Sequence, residues 1–189
     1  MKSKRKVIIG ILAFIIVLGA AYISYNILSE KYNPTQALQN EEESTAQENE
    51  KNTAPDFMVY DADGNEVNLS DFFGKPIVLN FWASWCPPCK GELPDFNNAY
   101  INEKDKVVFF MVDLVDGQRE TQQSGQSYIA NQGYELEVYF DTEQQAAVTY
   151  GISSIPTTIL IDSDGNIVKT YIGAIDEDTL NEAIALITK

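Results

Sequence analysis

The sequence predicts an α/β domain: a central mixed sheet with helices on both faces. Three observations predict it. Short apolar runs such as Ile77–Trp82 and Val107–Val112 have the length and composition of buried strands. Stretches of helical length alternate with them, which favours parallel pairs covered by helices. Two segments of the form Asp-x-Asp-Gly-Asn, at 61–65 and 162–166, each separate two strand-like runs as hairpin turns.

Taken in order, Phe57–Tyr60 and Glu66–Leu69 form an N-terminal hairpin around the first of these turns. Ser70–Gly74 reads as a short helical turn. Pro76–Trp82 is a buried strand, and a helix runs from Cys86 to about Asn102. Pro87 is tolerated in its first turn, whereas Pro94 lies inside it and predicts a kink. Val107–Val112 is a second buried strand. The polar segment Arg119–Asn131 predicts an exposed helix, followed by a short strand at Val138–Phe140 and a short helix at Glu143–Tyr150. Thr157–Ile161 and Ile167–Tyr171 form a second hairpin, and Asp176–Ile187 is a final amphipathic helix.

The chain has 189 residues, enough for one domain and a leader. Val7–Leu28 is an apolar run of transmembrane length, preceded by Lys2, Lys4, Arg5 and Lys6. The charges predict a cytoplasmic N-terminus, so residues 1–28 read as a single-pass signal anchor of the cytoplasmic membrane. The rest of the chain is then extracytoplasmic. A cleaved signal peptide, with Gly19-Ala20-Ala21 as the processing region, is the competing reading. No cysteine follows this run that could carry a lipid anchor. Residues 29–53 carry six Glu against two Lys and are rich in Gln, Asn, Ser and Thr. They bury too little apolar surface to fold and read as an acidic flexible linker. The folded domain is expected over 54–189. Its 22 acidic and seven basic residues dominate the net charge of −15 and argue against nucleic-acid binding.

The only two cysteines, Cys86 and Cys89, stand two residues apart in Trp85-Cys-Pro-Pro-Cys-Lys90, at the expected start of a helix. The helix dipole favours a thiolate on Cys86, and Cys89 waits one turn away to resolve a mixed disulfide. A purely structural bond is the plain alternative, but so small a loop stabilises little. A zinc site fails on ligand count, since the chain has no histidine. No metal and no cofactor is expected.

Phe81-Trp-Ala-Ser-Trp-Cys-Pro-Pro-Cys-Lys90, its continuation Glu92-Leu-Pro94, the opening Ala54-Pro-Asp-Phe57 and the segment Tyr150–Asp162 with Ile155-Pro156 are similar to the thioredoxin-like superfamily. The match is to its membrane-anchored, extracytoplasmic TlpA/ResA-type thiol–disulfide oxidoreductases, over residues 54–189. The resemblance implies a thioredoxin-like fold and a bacterial protein disulfide oxidoreductase with no cofactor. Cys86 is then the exposed nucleophile and Cys89 the more buried resolving thiol. Pro87 and Pro88 stiffen the loop and remove two amide donors from the thiolate. Trp85 shields the pair from water. Pro156 follows a cis bond, and Ile155 offers its backbone to an extended substrate. Cytosolic thioredoxins carry a buried Asp where this chain has Asn80, which cannot take a proton. The general base is therefore open, with Glu92 and Asp113 as candidates. Both residue types at such positions are more often solvated surface carboxylates.

The resemblance also implies clients and a donor: disulfide-bonded exported proteins such as apocytochrome c, and a membrane thiol carrier of the CcdA/DsbD type. Reduction is the expected direction. A disulfide-forming oxidase or isomerase is the alternative. A peroxidase is disfavoured because peroxiredoxins need a Thr where Ala83 stands. A tethered binding module with an inert disulfide is the non-enzymatic alternative.

Overall fold

A computed structural model describes residues 52–188, together with Leu18, Gly19, Tyr22, Ile23 and Tyr25 in helical conformation. The rest of the expected anchor, and the linker up to residue 51, lie outside the described residues. Among the described residues no helix is long and apolar enough to cross a membrane. Residues 51–189 form one compact unit.

Its strands are β1 (Met58–Tyr60), β2 (Glu66–Asn68), β3 (Ile77–Trp82), β4 (Val108–Asp113), β5 (Val138–Phe140), β6 (Thr157–Ile161) and β7 (Ile167–Ile172). The helices are α1 (Pro87–Glu103), α2 (Gln122–Gln132), α3 (Gln145–Thr149) and α4 (Glu177–Ile187), with a 3-10 turn at Leu69–Phe72. The strands make one sheet in the order β2-β1-β5-β4-β3-β6-β7. β3, β4 and β5 are parallel neighbours; β6 and β7, and the β1–β2 hairpin, add antiparallel edges. This is the expected mixed sheet of a thioredoxin-like fold.

The two hairpin turns share one local chemistry. Asp61 Oδ1 accepts the N–H groups of Asp63 (2.9 Å) and Asn65 (2.8 Å). Asp162 Oδ1 does the same for Asp164 (3.0 Å) and Asn166 (2.9 Å). Gly64 and Gly165 take φ of 84° and 83°, a left-handed conformation that glycine adopts without steric cost.

β3 is buried on both faces, and its alternation divides the core. Ile77, Leu79 and Phe81 join Phe57, Leu69, Phe110, Val112 and Ile161 on one side. Val78 and Trp82 join Leu93, Phe96, Phe109, Met111, Leu160, Leu180 and both cysteines on the other. Helices α1, α2 and α4 cover this second side, while α3 and the 3-10 turn cover the first.

One expectation is corrected by packing. The helix expected at Arg119–Asn131 begins at Gln122, capped by Thr121, and is not simply exposed: it buries Gly125 and Ile129. It docks on β4, where a Cβ on Gly125 would stand 1.9 Å from Asp113 Oδ2, so only glycine fits. Helix α1 includes Pro94 within its length, one helical turn past Lys90.

Candidate active site

β3 ends at Trp82, and three residues, Ala83, Ser84 and Trp85, lead to Cys86, the N-cap of α1. Cys86 and Cys89 are joined as a disulfide. Because Pro87 and Pro88 occupy the first two helical positions, the first amide that can reach Cys86 is that of Cys89, which points at Cys86 Sγ from 3.3 Å. The next, Lys90 N–H, is taken by the Cys86 carbonyl (3.1 Å). A thiolate on Cys86 would therefore have the helix dipole and one direct amide donor.

The Ile155–Pro156 bond is cis, as the resemblance implies. The Ile155 carbonyl oxygen lies 3.7 Å from Cys86 Sγ, positioned to accept from the thiol of the reduced form. Pro87 and Pro88 are exposed. One sequence expectation needs correction. Cys86 is 2% exposed in the disulfide form rather than open, because its sulfur is tucked between the Cys89 amide and the Ile155 carbonyl. Trp85, the residue before Cys86, lies at the surface. It is 38% exposed, with the Arg119 guanidinium 4.1 Å from its ring centroid. The indole packed in the cluster with the sulfurs is that of Trp82.

Both candidate proton acceptors are buried, contrary to the solvated positions expected for such carboxylates. Glu92 projects from α1 toward β3. Its Oε1 accepts from Asn80 Nδ2 (2.9 Å) and its Oε2 from Ile175 N–H (3.1 Å). Asn80 Nδ2 also donates to Thr158 Oγ1 (3.0 Å), next to the residue that follows Pro156. Burial pushes Glu92 up to about 7, against the lowering effect of its two donors. Asn80 is therefore the residue that orients a carboxylate rather than the base itself. Glu92 stands three residues after Cys89 on the same helix, one turn away.

Asp113 ends β4 directly across from Trp82 in the sheet register. Neither of its carboxyl oxygens, nor Trp82 Nε1, has a hydrogen-bond partner among the described residues. Burial, and then the nearby Glu120 charge, push Asp113 up to about 9. A carboxyl with that value already holds its proton at neutral pH, so of the two candidates Glu92 is poised to accept one. Glu92→Gln is expected to lower disulfide exchange at pH 7 by about tenfold or more, and to remove a titration near 7 from the pH–rate profile. Steady-state rates from pH 5 to 9 check this.

A groove of about 250 Å³ beside the pair is lined by Trp85, Leu114, Arg119, Ile152 and Ile155, among others. A larger cavity of about 650 Å³, between the β1–β2 turn, α2 and β5, contains none of the site residues. The arrangement can carry out dithiol–disulfide exchange. Among the described residues no cluster of His, Cys, Asp and Glu could hold a metal ion.

Comparison with known proteins agrees with that chemistry. The sequence profile of the AhpC/TSA family matches residues 51–170. The thiol-disulfide oxidoreductase ResA of Bacillus subtilis (strain 168) is 32% identical over 189 residues, covering 99% of this chain and 96% of that protein. The ResA of Bacillus anthracis is 36% identical over 135 residues, covering 71% of this chain and 76% of that protein. The crystal structure of StoA from Bacillus subtilis superposes with a TM-score of 0.60 and 32% identity, covering 68% of this chain and 96% of that one.

Proposed function

The chain belongs to the AhpC/TSA family of thioredoxin-like proteins and is a ResA-like protein thiol–disulfide oxidoreductase, and we propose that it works as a reductant of disulfides in exported proteins. The observation that carries the reading is the Cys86–Cys89 disulfide at the N-terminus of α1, with the Ile155 carbonyl beside the first sulfur.

In this reading the reduced Cys86 thiolate attacks one sulfur of a client disulfide and the other client sulfur leaves as a thiolate. Cys89, deprotonated by Glu92, then attacks Cys86 Sγ and releases the reduced client. The client lies extended along Ile155, pairing with its backbone by strand addition. The two electrons come from a membrane thiol carrier of the CcdA/DsbD type, since cytosolic reductants stand across the membrane. Residues 1–28 hold the domain at the extracytoplasmic surface, and residues 29–53 give it reach.

Apocytochrome c is the client class proposed, because its Cys-x-x-Cys-His haem site must be reduced before haem attaches. The test mixes the reduced protein with an oxidised Cys-x-x-Cys-His peptide. Release of two peptide thiols for each protein disulfide formed supports the reading. Faster formation of disulfides in a reduced client by the oxidised protein would support the oxidase alternative instead.

A further inference from the structure

The loop between β4 and α2 grips the dithiol loop at two points that the chemistry above does not use. Glu120 is fully buried. Its Oε2 accepts from both the Ser84 N–H (2.8 Å) and Ser84 Oγ (2.8 Å), and its Oε1 from Ser124 Oγ (2.9 Å). The Arg119 guanidinium covers the ring of Trp85. Ser84 and Trp85 are the two residues immediately before Cys86.

A single carboxylate orders both grips. Asp116 Oδ1 accepts the N–H groups of Gln118 (2.8 Å), Arg119 (2.7 Å) and Glu120 (2.9 Å), and its Oδ2 accepts from Arg119 Nε (3.3 Å). These donors hold the Asp116 carboxyl well below its ordinary range, at about 2.

The plain alternative is that Glu120 only caps α2. That cap is complete without it: Thr121 Oγ1 accepts from Ser124 N–H (3.1 Å), and Ser124 Oγ accepts from Thr121 N–H (2.8 Å). Burying a carboxylate costs several kcal/mol unless its donors compensate, and two of the three donors belong to Ser84. The geometry points to the dithiol loop as the thing being held.

We propose that Glu120 is a positioning residue of the dithiol reaction: by holding both donors of Ser84, it fixes Cys86 at the N-terminus of α1 for attack on a disulfide. Arg119, from the same loop, fixes the Trp85 ring beside it. The inference rests on the dithiol chemistry and not on the direction in which electrons flow.

The test uses the full chain with Cys89→Ser, so that the reaction stops at the first step. Cys86 thiolate attacks one sulfur of oxidised glutathione, forms the mixed disulfide and releases one glutathione thiolate. Rates are taken across pH to separate the thiolate fraction from the rate of the thiolate itself. Glu120→Ala is expected to slow the thiolate rate about tenfold, and Ser84→Ala about threefold. Glu120→Gln keeps an oxygen acceptor for Ser84 and is expected to stay within about twofold of the parent.

Equal thiolate rates in all variants would overturn the proposal. So would an equal loss in Glu120→Gln and Glu120→Ala, which would assign the effect to charge. If Glu120→Ala does not fold, the partly exposed Ser84 decides: an unchanged rate in Ser84→Ala overturns the proposal. A failure of the reductant reading leaves all these rates as they are, so the two are distinguishable.

Discussion

Cys86→Ala is expected to abolish disulfide exchange, with a loss of at least about a thousandfold, because no other thiol can start the reaction. Cys89→Ser is expected to fail differently. Its Cys86 still attacks, but the mixed disulfide with the client persists because nothing resolves it. The measurement is turnover with a peptide disulfide, followed by mass analysis of the adduct. The asymmetry follows from the fold. Cys86 is the helix N-cap with the Cys89 amide aimed at its sulfur and the Ile155 carbonyl beside it, whereas Cys89 lies within the helix. Inactivity of both variants with no adduct on Cys89→Ser would contradict this division of roles.

A second large effect is expected on stability. Asp113 is held neutral in the folded protein at pH 7 but ionises in the unfolded chain. Its folded pKa is raised, from 3.8 to about 9. Its contribution is thus intact below about pH 4 and is lost progressively as pH rises toward 9. Asp113→Asn keeps the shape and removes the ionisation. It is expected to raise the unfolding free energy at pH 8 by about 2 kcal/mol or more, with no gain near pH 4. Urea unfolding at both pH values measures it. Glu92 adds to the same trend, since its folded pKa is also raised, to about 7. A buried group that lowers stability at the working pH fits a site selected for more than rigidity. An equal effect of Asp113→Asn at pH 4 and pH 8 would contradict the account.

Much of the domain is legible in the amino-acid sequence. β3 and β4 declare themselves because both faces of a central parallel strand are buried, which leaves unbroken apolar runs. The hairpins declare themselves through the same Asp-x-Asp-Gly-Asn turn, used twice. The cysteine pair and Pro156, 67 residues apart between Cys89 and Pro156, are brought together by β3 and β6 lying side by side.

What was not legible is where polar side chains go. Burial of Glu92, Asp113 and Glu120 depends on which element packs over each of them, and no local period encodes that. Helix α2 reads as exposed because only Gly125 and Ile129 turn inward, and a glycine carries no apolar signal. The usable clue was that glycine itself. A Gly in mid-helix is unfavourable unless something must come close, and Asp113, following an apolar strand, is what comes close. The two tryptophans differ for a similar reason. Side chains alternate along β3, so Trp82 turns into the core beneath the sulfurs, while Trp85 lies past the strand end and meets Arg119.

The most direct test of the central claim, that this protein is an extracytoplasmic reductant, is the reduction potential of the Cys86–Cys89 pair. It can be read from tryptophan fluorescence in thiol redox buffers, with Trp82 packed in the cluster that holds both sulfurs. The account predicts a value near or below about −230 mV, among the reducing thioredoxin-like proteins. A value above about −150 mV would place the pair with the oxidants and contradict it.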